Sequence, residues 1–352
     1  MSDGILIRCD ADAAVGLGHL MRCLAIAGAL RDLGVRVEFA MGELSSFAAQ
    51  TLQDEGFCVH EIAGANSAFD KSAANAMLQL IADRQLESVL VDHYDAGAKY
   101  FRTLSDHTKL LGTIDDQAVR DFSGVGWLLN PNPGVSAGEY QVSDDAEVLI
   151  GPQYALLRRQ FRIARESAVD RNNAKHTRIL IQFGGSDTGE IYERVLGWLG
   201  HIAAPCSITC IAAEHADILR RSHPDSAHDT TILPGVSDIA AHMLNTDIAI
   251  GAGGSSCWEL CCIGVPMIIG ELSPDQSRIA QELHNRGTAI HLGQWSRVTE
   301  DQFIDAVQKL IEIEPRRETM ARIGRGIVDG LGATRAAQSI VKTLRAKQEV
   351  VA

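Results

Sequence analysis

Short apolar runs alternate with amphipathic stretches along the whole chain. Runs at 5–10, 37–41, 88–92, 110–114 and 127–129 read as buried strands in the first half. Further runs at 178–183, 208–212, 231–233, 248–250 and 266–269 read the same way in the second half. Between them lie helical patterns. Segment 20–33 carries apolar residues at Leu20, Leu24, Ala27, Leu30 and Leu33 and stops at Gly34, which fits a helix with a glycine cap. Segments 73–82, 190–199, 239–244, 257–263, 276–286 and 299–313 complete the helical set. Strand–helix alternation of this kind predicts parallel sheets with helices on both faces.

The alternation breaks at 159–177, a polar stretch centred on Arg171-Asn172-Asn173, which reads as a linker. Two Rossmann-like domains follow from this. The predicted boundaries are 1–158 for an N-terminal domain with a histidine loop and 172–318 for a nucleotide-binding domain. Residues 319–352 form a helical segment that returns to the first domain. Ligands of open parallel sheets sit at the carboxyl ends of strands. Every candidate motif of this chain falls at such an end, so the expected site is a cleft between the two domains.

The richest motif is Gly251-Ala252-Gly253-Gly254-Ser255-Ser256-Cys257-Trp258-Glu259, between a strand and a helix. Backbone amides without side chains, together with a helix N-terminus, make an anion cradle. A carboxylate at Glu259, one turn into the helix, suits a pair of vicinal hydroxyls better than a phosphate. Diphosphate plus diol means a nucleotide. The alternatives are that these glycines serve close packing and that Glu259 is a solvated helix residue. A similar loop, Gly184-Gly185-Ser186-Asp187, ends the first strand of the second half. Near the N-terminus, Gly16-Leu17-Gly18-His19 leads into a helix that carries Arg22. An imidazole in that position can accept a proton near neutral pH; otherwise it packs or caps the helix. Asp92-His93-Tyr94 and Asp115-Asp116 end two further strands. One group of the first set can orient His19 and another can touch a ligand. The paired aspartates fit an acid–base pair, a metal site, or a turn cap.

Composition narrows the class. With 45 acidic against 32 basic residues the formal charge is −13, which argues against a nucleic-acid partner. No apolar run reaches membrane-spanning length, and Met1-Ser2-Asp3-Gly4 lacks a basic leader, so no membrane insertion and a cytoplasmic location are expected. The eight cysteines lie mostly in apolar patterns and include no CxxC pair, so reduced thiols and no zinc site are expected.

The ordered motifs resemble the PseG/SpsG family of nucleotide-sugar hydrolases. They are Gly-Leu-Gly-His-Leu-Met-Arg-Cys (16–23), Asp-His-Tyr (92–94), Asp-Asp (115–116), Leu-Leu-Asn-Pro-Asn (128–132), Gly-Pro-Gln-Tyr-Ala-Leu-Leu-Arg (151–158), Phe-Gly-Gly-Ser-Asp (183–187) and Gly-Ala-Gly-Gly-Ser-Ser-Cys-Trp-Glu (251–259). The resemblance covers essentially the whole chain. It implies a GT-B fold related to the peptidoglycan N-acetylglucosaminyltransferase, acting as a monomer on a UDP-sugar without metal or cofactor. The implied reaction hydrolyses a UDP-linked 2,4-diacetamido-2,4,6-trideoxyhexose at the anomeric carbon with inversion, a step of pseudaminic-acid-type biosynthesis. Implied catalytic residues are His19, Tyr94 and Asp92. Implied substrate-binding residues are Gly16, Gly18, Arg22, His93, Gly184, Gly185, Ser186, Gly253 to Ser256, Glu259, Asp275 and Gln276. The chain departs from the family at Asp275, where Asn is common. An ionised carboxylate cannot donate a hydrogen bond as a carboxamide does. A GT-B glycosyltransferase with an acceptor hydroxyl in place of water, a 2-epimerase, and a binding protein without turnover remain open alternatives, because fold does not decide among them.

Overall fold

The computed structural model describes residues 4–11, 17–62, 69–167, 176–184, 188–223 and 227–351. The chain divides into two compact units, Met1–Arg158 with Leu331–Ala352, and Arg159–Gly330. The first unit runs β1 (Gly4–Cys9), α1 (Gly18–Asp32), β2 (Arg36–Met41), α2 (Ser46–Asp54), β3 (Cys58–Glu61) and α3 (Lys71–Arg84). It continues through β4 (Ser88–Asp92), α4 (Ala98–Ser105), β5 (Leu110–Ile114), β6 (Trp127–Asn130) and β7 (Glu147–Ile150). The second unit opens with α5 (Arg159–Ser167), β8 (Thr177–Gln182), α6 (Gly189–Leu199), β9 (Cys206–Ile211), α7 (Ala216–Ser222), β10 (Asp229–Leu233) and α8 (Ile239–Leu244). It closes with β11 (Ile248–Ala252), α9 (Ser256–Ile263), β12 (Met267–Glu271), α10 (Ser277–Arg286), β13 (Ala289–Gln294), α11 (Glu300–Glu312) and α12 (Glu314–Ile327). Helix α13 (Gly332–Val351) returns to the first unit.

Each unit is built on one parallel sheet, in the orders β3-β2-β1-β4-β5-β6-β7 and β10-β9-β8-β11-β12-β13. In both, the chain winds outward from the first strand, jumps back across it, and winds the other way. The reversal lies between β1 and β4 in one unit and between β8 and β11 in the other, and such switch points are where doubly wound sheets bind ligands. Strand side chains alternate between the two faces. Ile5 and Ile7 of β1 join a core with α1 and α13, whereas Leu6 joins a second core with α3 and α4. The second unit has its own core of Ile179, Ile181, Ile208, Ile248 and Ile250 with residues of α6 and α11.

Three predictions need correction. The stretch 159–177 is not simply a linker: 159–167 is α5, with Phe161 and Ala164 buried three residues apart on one face. Its residues 168–175 lie outside the described residues. The return to the first unit comes at Leu331 rather than at 319, because 319 falls inside α12, which packs on α9 in the second unit. Strands β3, β7 and β13 were not predicted. All three are partly exposed: Cys-Val-His-Glu and Ala-Ile-His-Leu-Gly-Gln carry no continuous apolar run, and Glu-Val-Leu-Ile carries only the short run Val148-Leu149-Ile150.

Candidate active site

In the first unit the switch point brings two distant residues together. Asp92 ends β4 opposite Cys9 of β1 in the parallel register. His19 sits in the first turn of α1, the element that follows β1 in the chain. His19 Nδ1 lies 2.7 Å from Asp92 Oδ1, and both side chains are buried. Arg22, one turn along the same helix face, donates from Nε to Asp92 Oδ2 at 2.6 Å and from Nη2 to Oδ1 at 2.5 Å. Cys23 adds its thiol at 3.4 Å from Oδ2. Burial by itself would raise the Asp92 carboxyl; the charges of Arg22 and His19 outweigh it and hold the group well below the usual carboxylate range.

This fixes the histidine tautomer. An ionised Asp92 can only accept, so Nδ1 carries the hydrogen between them. Arg22 Nη2 also lies 3.1 Å from Nδ1, and since a guanidinium has no acceptor, both hydrogens converge on Asp92 Oδ1. The basic nitrogen is therefore Nε2, and among the described residues nothing hydrogen-bonds to it. A histidine held by a buried carboxylate through Nδ1 is the arrangement of a general base.

Around this pair, Tyr94 meets the His19 ring edge-on at 4.7 Å between centroids and is 40% exposed. Its hydroxyl donates to Asp116 Oδ2 at 3.0 Å. Arg22 Nη1 reaches both Asp116 oxygens, at 2.9 and 2.8 Å. Asp115 is tied down separately. It accepts from the Gln117 and Ala118 amides at 3.0 and 2.6 Å, from Arg120 Nη2 at 2.7 Å and from Tyr140 at 2.9 Å. Of the readings open for the aspartate pair, Asp115 follows the turn cap, and Asp116 is an ion-pair partner. Among the described residues no cluster of His, Cys, Asp or Glu is placed to hold a metal ion.

His93 faces inward. Its Nδ1 accepts from the Asp95 amide at 3.1 Å, its Nε2 lies 3.4 Å from Asp10 Oδ2, and Phe69 stacks against it at 4.4 Å between centroids. Burial lowers its basicity, against the pull of Asp10. Both ring nitrogens are committed to the protein, so a direct ligand contact from His93 does not follow from this geometry. Gly18 is exposed at the start of α1, and Gly16 lies outside the described residues.

In the second unit, Gly251 pairs with Gln182 across the switch point. A Cβ on Gly251 would sit 2.3 Å from the Gln182 carbonyl, and one on Gly253 would sit 3.0 Å from Ala280 Cβ and 3.2 Å from the Gln276 carbonyl. Close packing therefore accounts for those two glycines. Gly254 is different: its nearest neighbour would be Gln276 Nε2, at 3.8 Å. Gly253 donates to the Gly270 carbonyl, and Cys257 and Trp258 donate to Gly254 and Ser255. Among the described residues no backbone carbonyl takes the amides of Gly254, Ser255 or Ser256, the turn that opens α9. An anion can take all three. Glu259 is half-buried in the first turn of α9. Gln276 accepts the Leu272 amide through Oε1 at 2.9 Å, which turns its NH2 group toward Gly254. Asp275 beside it is exposed. Gly184, exposed with φ of +64°, follows β8, while Gly185 and Ser186 lie outside the described residues.

Sequence reasoning missed the residues that hold the site in place: Arg120, Tyr140, Asn130 and Asn132. Arg120 also reaches the carbonyls of His93 and Tyr94, Asn132 reaches Asp116, and Tyr140 reaches Asp115, contacts between segments far apart in sequence that local spacing does not mark. Asn130 and Asn132 do stand in the Leu-Leu-Asn-Pro-Asn motif, which was the available signal.

Comparison with known proteins agrees with this architecture. Residues 211–343 match the glycosyltransferase family 28 C-terminal domain. The spore coat polysaccharide biosynthesis protein SpsG of Bacillus subtilis is 24% identical over 265 residues, 74% of this chain and 77% of that protein. The UDP-2,4-diacetamido-2,4,6-trideoxy-beta-L-altropyranose hydrolase of Campylobacter jejuni is 28% identical over 188 residues, 52% of this chain and 61% of that enzyme. The crystal structure of Acinetobacter baumannii MurG aligns with a TM-score of 0.71 at 17% identity, covering 97% of this chain and 99% of MurG. This chain thus has the GT-B fold of two parallel-sheet α/β units and low-identity homology to SpsG and to the altropyranose hydrolase.

Proposed function

We propose that the protein is an enzyme of nucleotide-sugar metabolism that hydrolyses a UDP-linked 2,4-diacetamido-2,4,6-trideoxyhexose to UDP and the free sugar. The observation that carries this reading is the His19–Asp92 pair at the switch point of the first sheet, with Nε2 left as the basic nitrogen. His19 Nε2 takes a proton from water while the water oxygen bonds to the anomeric carbon. The bond from that carbon to the diphosphate oxygen breaks, and its electron pair leaves with UDP. Attack on the face opposite the leaving group inverts the configuration. The amides of Gly254 to Ser256 receive the diphosphate, Gln276 contacts it from the side, and Glu259 takes the ribose hydroxyls. A nucleoside diphosphate needs little acid assistance, so a base and an anion cradle suffice. The similarity to the Campylobacter hydrolase supports this substrate class.

The match to glycosyltransferase family 28 favours a second reading, transfer to an acceptor hydroxyl by the same base. Incubation with the UDP-sugar in the absence of any acceptor, followed by NMR of UDP and the first-formed anomer, separates the two. Free sugar released with inverted configuration supports hydrolysis, whereas UDP release only on addition of an acceptor supports transfer. His19→Ala is expected to lose ~10²–10⁴ of kcat with UDP affinity retained. A folded His19→Ala protein that releases UDP at the wild-type rate would remove His19 from the mechanism.

A further inference from the structure

We propose that Asp116 is a positioning residue that claims the Tyr94 hydroxyl hydrogen, so that Tyr94 meets its ligand only as a hydrogen-bond acceptor. A phenol has one hydrogen to donate. In Tyr94 it goes to Asp116 Oδ2 at 3.0 Å, and a carboxylate oxygen returns none. Asp116 is held so that it cannot turn away. Arg22 Nη1 bonds both of its oxygens, and Asn132 Nδ2 donates to Oδ1 at 3.0 Å. Arg22 is in turn anchored on Asp92 through Nε and Nη2. Asn132 is fixed by its own amide, which donates to Asn130 Oδ1 at 2.8 Å, and Asn130 donates to Tyr140 at 2.7 Å. Burial, and then the charge of Asp116, raise the Tyr94 phenol above its ordinary 10, so the hydrogen stays in place at neutral pH.

The consequence is a chemical class for the group that Tyr94 touches. It carries an O–H or N–H: water, a sugar hydroxyl or an amide. A diphosphate oxygen carries no hydrogen and meets only lone pairs there. Tyr94 is thus not the acid that protonates a departing diphosphate. It lies against the ring of His19, where the proposed reaction places water and sugar rather than phosphate. The identity of the ligand rests on the hydrolytic reading; the direction of the Tyr94 hydrogen bond does not.

The test begins with ligand-free protein and ultraviolet titration of its five tyrosines. The wild-type curve minus the Tyr94→Phe curve isolates Tyr94, and it is expected to ionise well above pH 10. Asp116→Asn keeps an oxygen for Arg22 and Asn132 but turns an NH2 group toward Tyr94, which releases the phenol hydrogen. One tyrosine is then expected to ionise at lower pH than in wild type, and that shift should vanish in the Asp116→Asn/Tyr94→Phe double variant. In turnover, Asp116→Asn and Tyr94→Phe should each lower kcat by ~10-fold, and the double variant by no more than the worse single. A difference curve for Tyr94 centred at an ordinary phenol value would overturn the proposal, as would an Asp116→Asn titration superimposable on wild type. If Asp116→Asn does not fold, the Tyr94→Phe difference curve still decides. If no UDP-sugar is cleaved by wild type, the hydrolytic reading fails while the titration still stands or falls by itself.

Discussion

Arg22 directs Nε and Nη2 at Asp92 and Nη1 at Asp116, joining two carboxylates that arrive from different strands. A lysine has one charged point and lacks that fork. The arginine was expected to bind substrate; in this structure its nitrogens bond Asp92 and Asp116. The sequence reading placed His19 and Asp92 at strand ends, and the spacing of His19 and Arg22 puts them on one helix face. Their union across more than seventy residues is a property of sheet order, which local pattern does not carry. His93 shows the reverse case: it sits in the most recognisable tripeptide of the site, yet it packs between Phe69 and Asp10. A prediction belongs at this scale. Asp92→Asn offers His19 either a carboxamide oxygen or a donor, and the donor orientation forces the hydrogen from Nδ1 to Nε2. The kcat for UDP release is expected to fall ~10²–10⁴-fold in the manner of other misoriented base histidines. UDP affinity measured by calorimetry should change little, since the amide cradle belongs to the other unit. Wild-type turnover in folded Asp92→Asn protein would show that the pairing does not orient the base.

Periodicity predicted every strand that buries both faces. β1, β4, β5 and β6 are buried throughout. Among the missed elements, α4 buries Tyr100, Phe101 and Leu104 within only eight residues, and α5 and β3 are rich in charge. α5 carries three arginines around Phe161, and Arg165 uses its guanidinium to bond the carbonyls of Cys262, Val328 and Arg325, closing the end of α9. β3 was hidden for a related reason. Its His60 is half-buried because it bonds Glu38 of β2 at 2.6 Å, and Glu38 also receives Arg84 of α3 at 2.9 Å and its neighbour Arg36. Burial would raise the Glu38 carboxyl, but Arg84, His60 and Arg36 outweigh it and bring it from 4.5 down to about 2. The sign of the linkage follows. A carboxyl with a depressed folded value stabilises fully above its unfolded value and loses that contribution as the pH falls toward the folded one. This cluster therefore ties β2, β3 and α3 together above about pH 4.5 and progressively less toward about pH 2. Urea unfolding across that window should show a steeper loss of stability in wild type than in Glu38→Gln. Parallel pH profiles would mean that the cluster contributes nothing through ionisation.

At the scale of the whole molecule, the first unit is discontinuous in sequence and the second is not. Ala333, Ala336, Ala337, Ile340 and Leu344 of α13 lie in the same core as β1, α1 and Trp127, and the indole of Trp127 donates to Ser339 at 3.0 Å. The helix enters that core through a tight crossing. A Cβ on Gly332 would sit 2.2 Å from the Ala155 carbonyl, so a larger residue there displaces backbone rather than a side chain. The sequence reading had a returning helical segment from 319 but not its start at Leu331, because α12 is equally helical and remains with the second unit. Leu344→Ala removes a fully buried side chain from the first unit alone, and its expected cost is about 2–5 kcal/mol. Hydrogen exchange resolved by peptide should then quicken across β1 to β7 and α13, while β8 to β13 keep their protection, since the second unit has a core of its own. Equal loss of protection in both units would show that they unfold as one cooperative body, in which case the discontinuous unit borrows its stability from the continuous one.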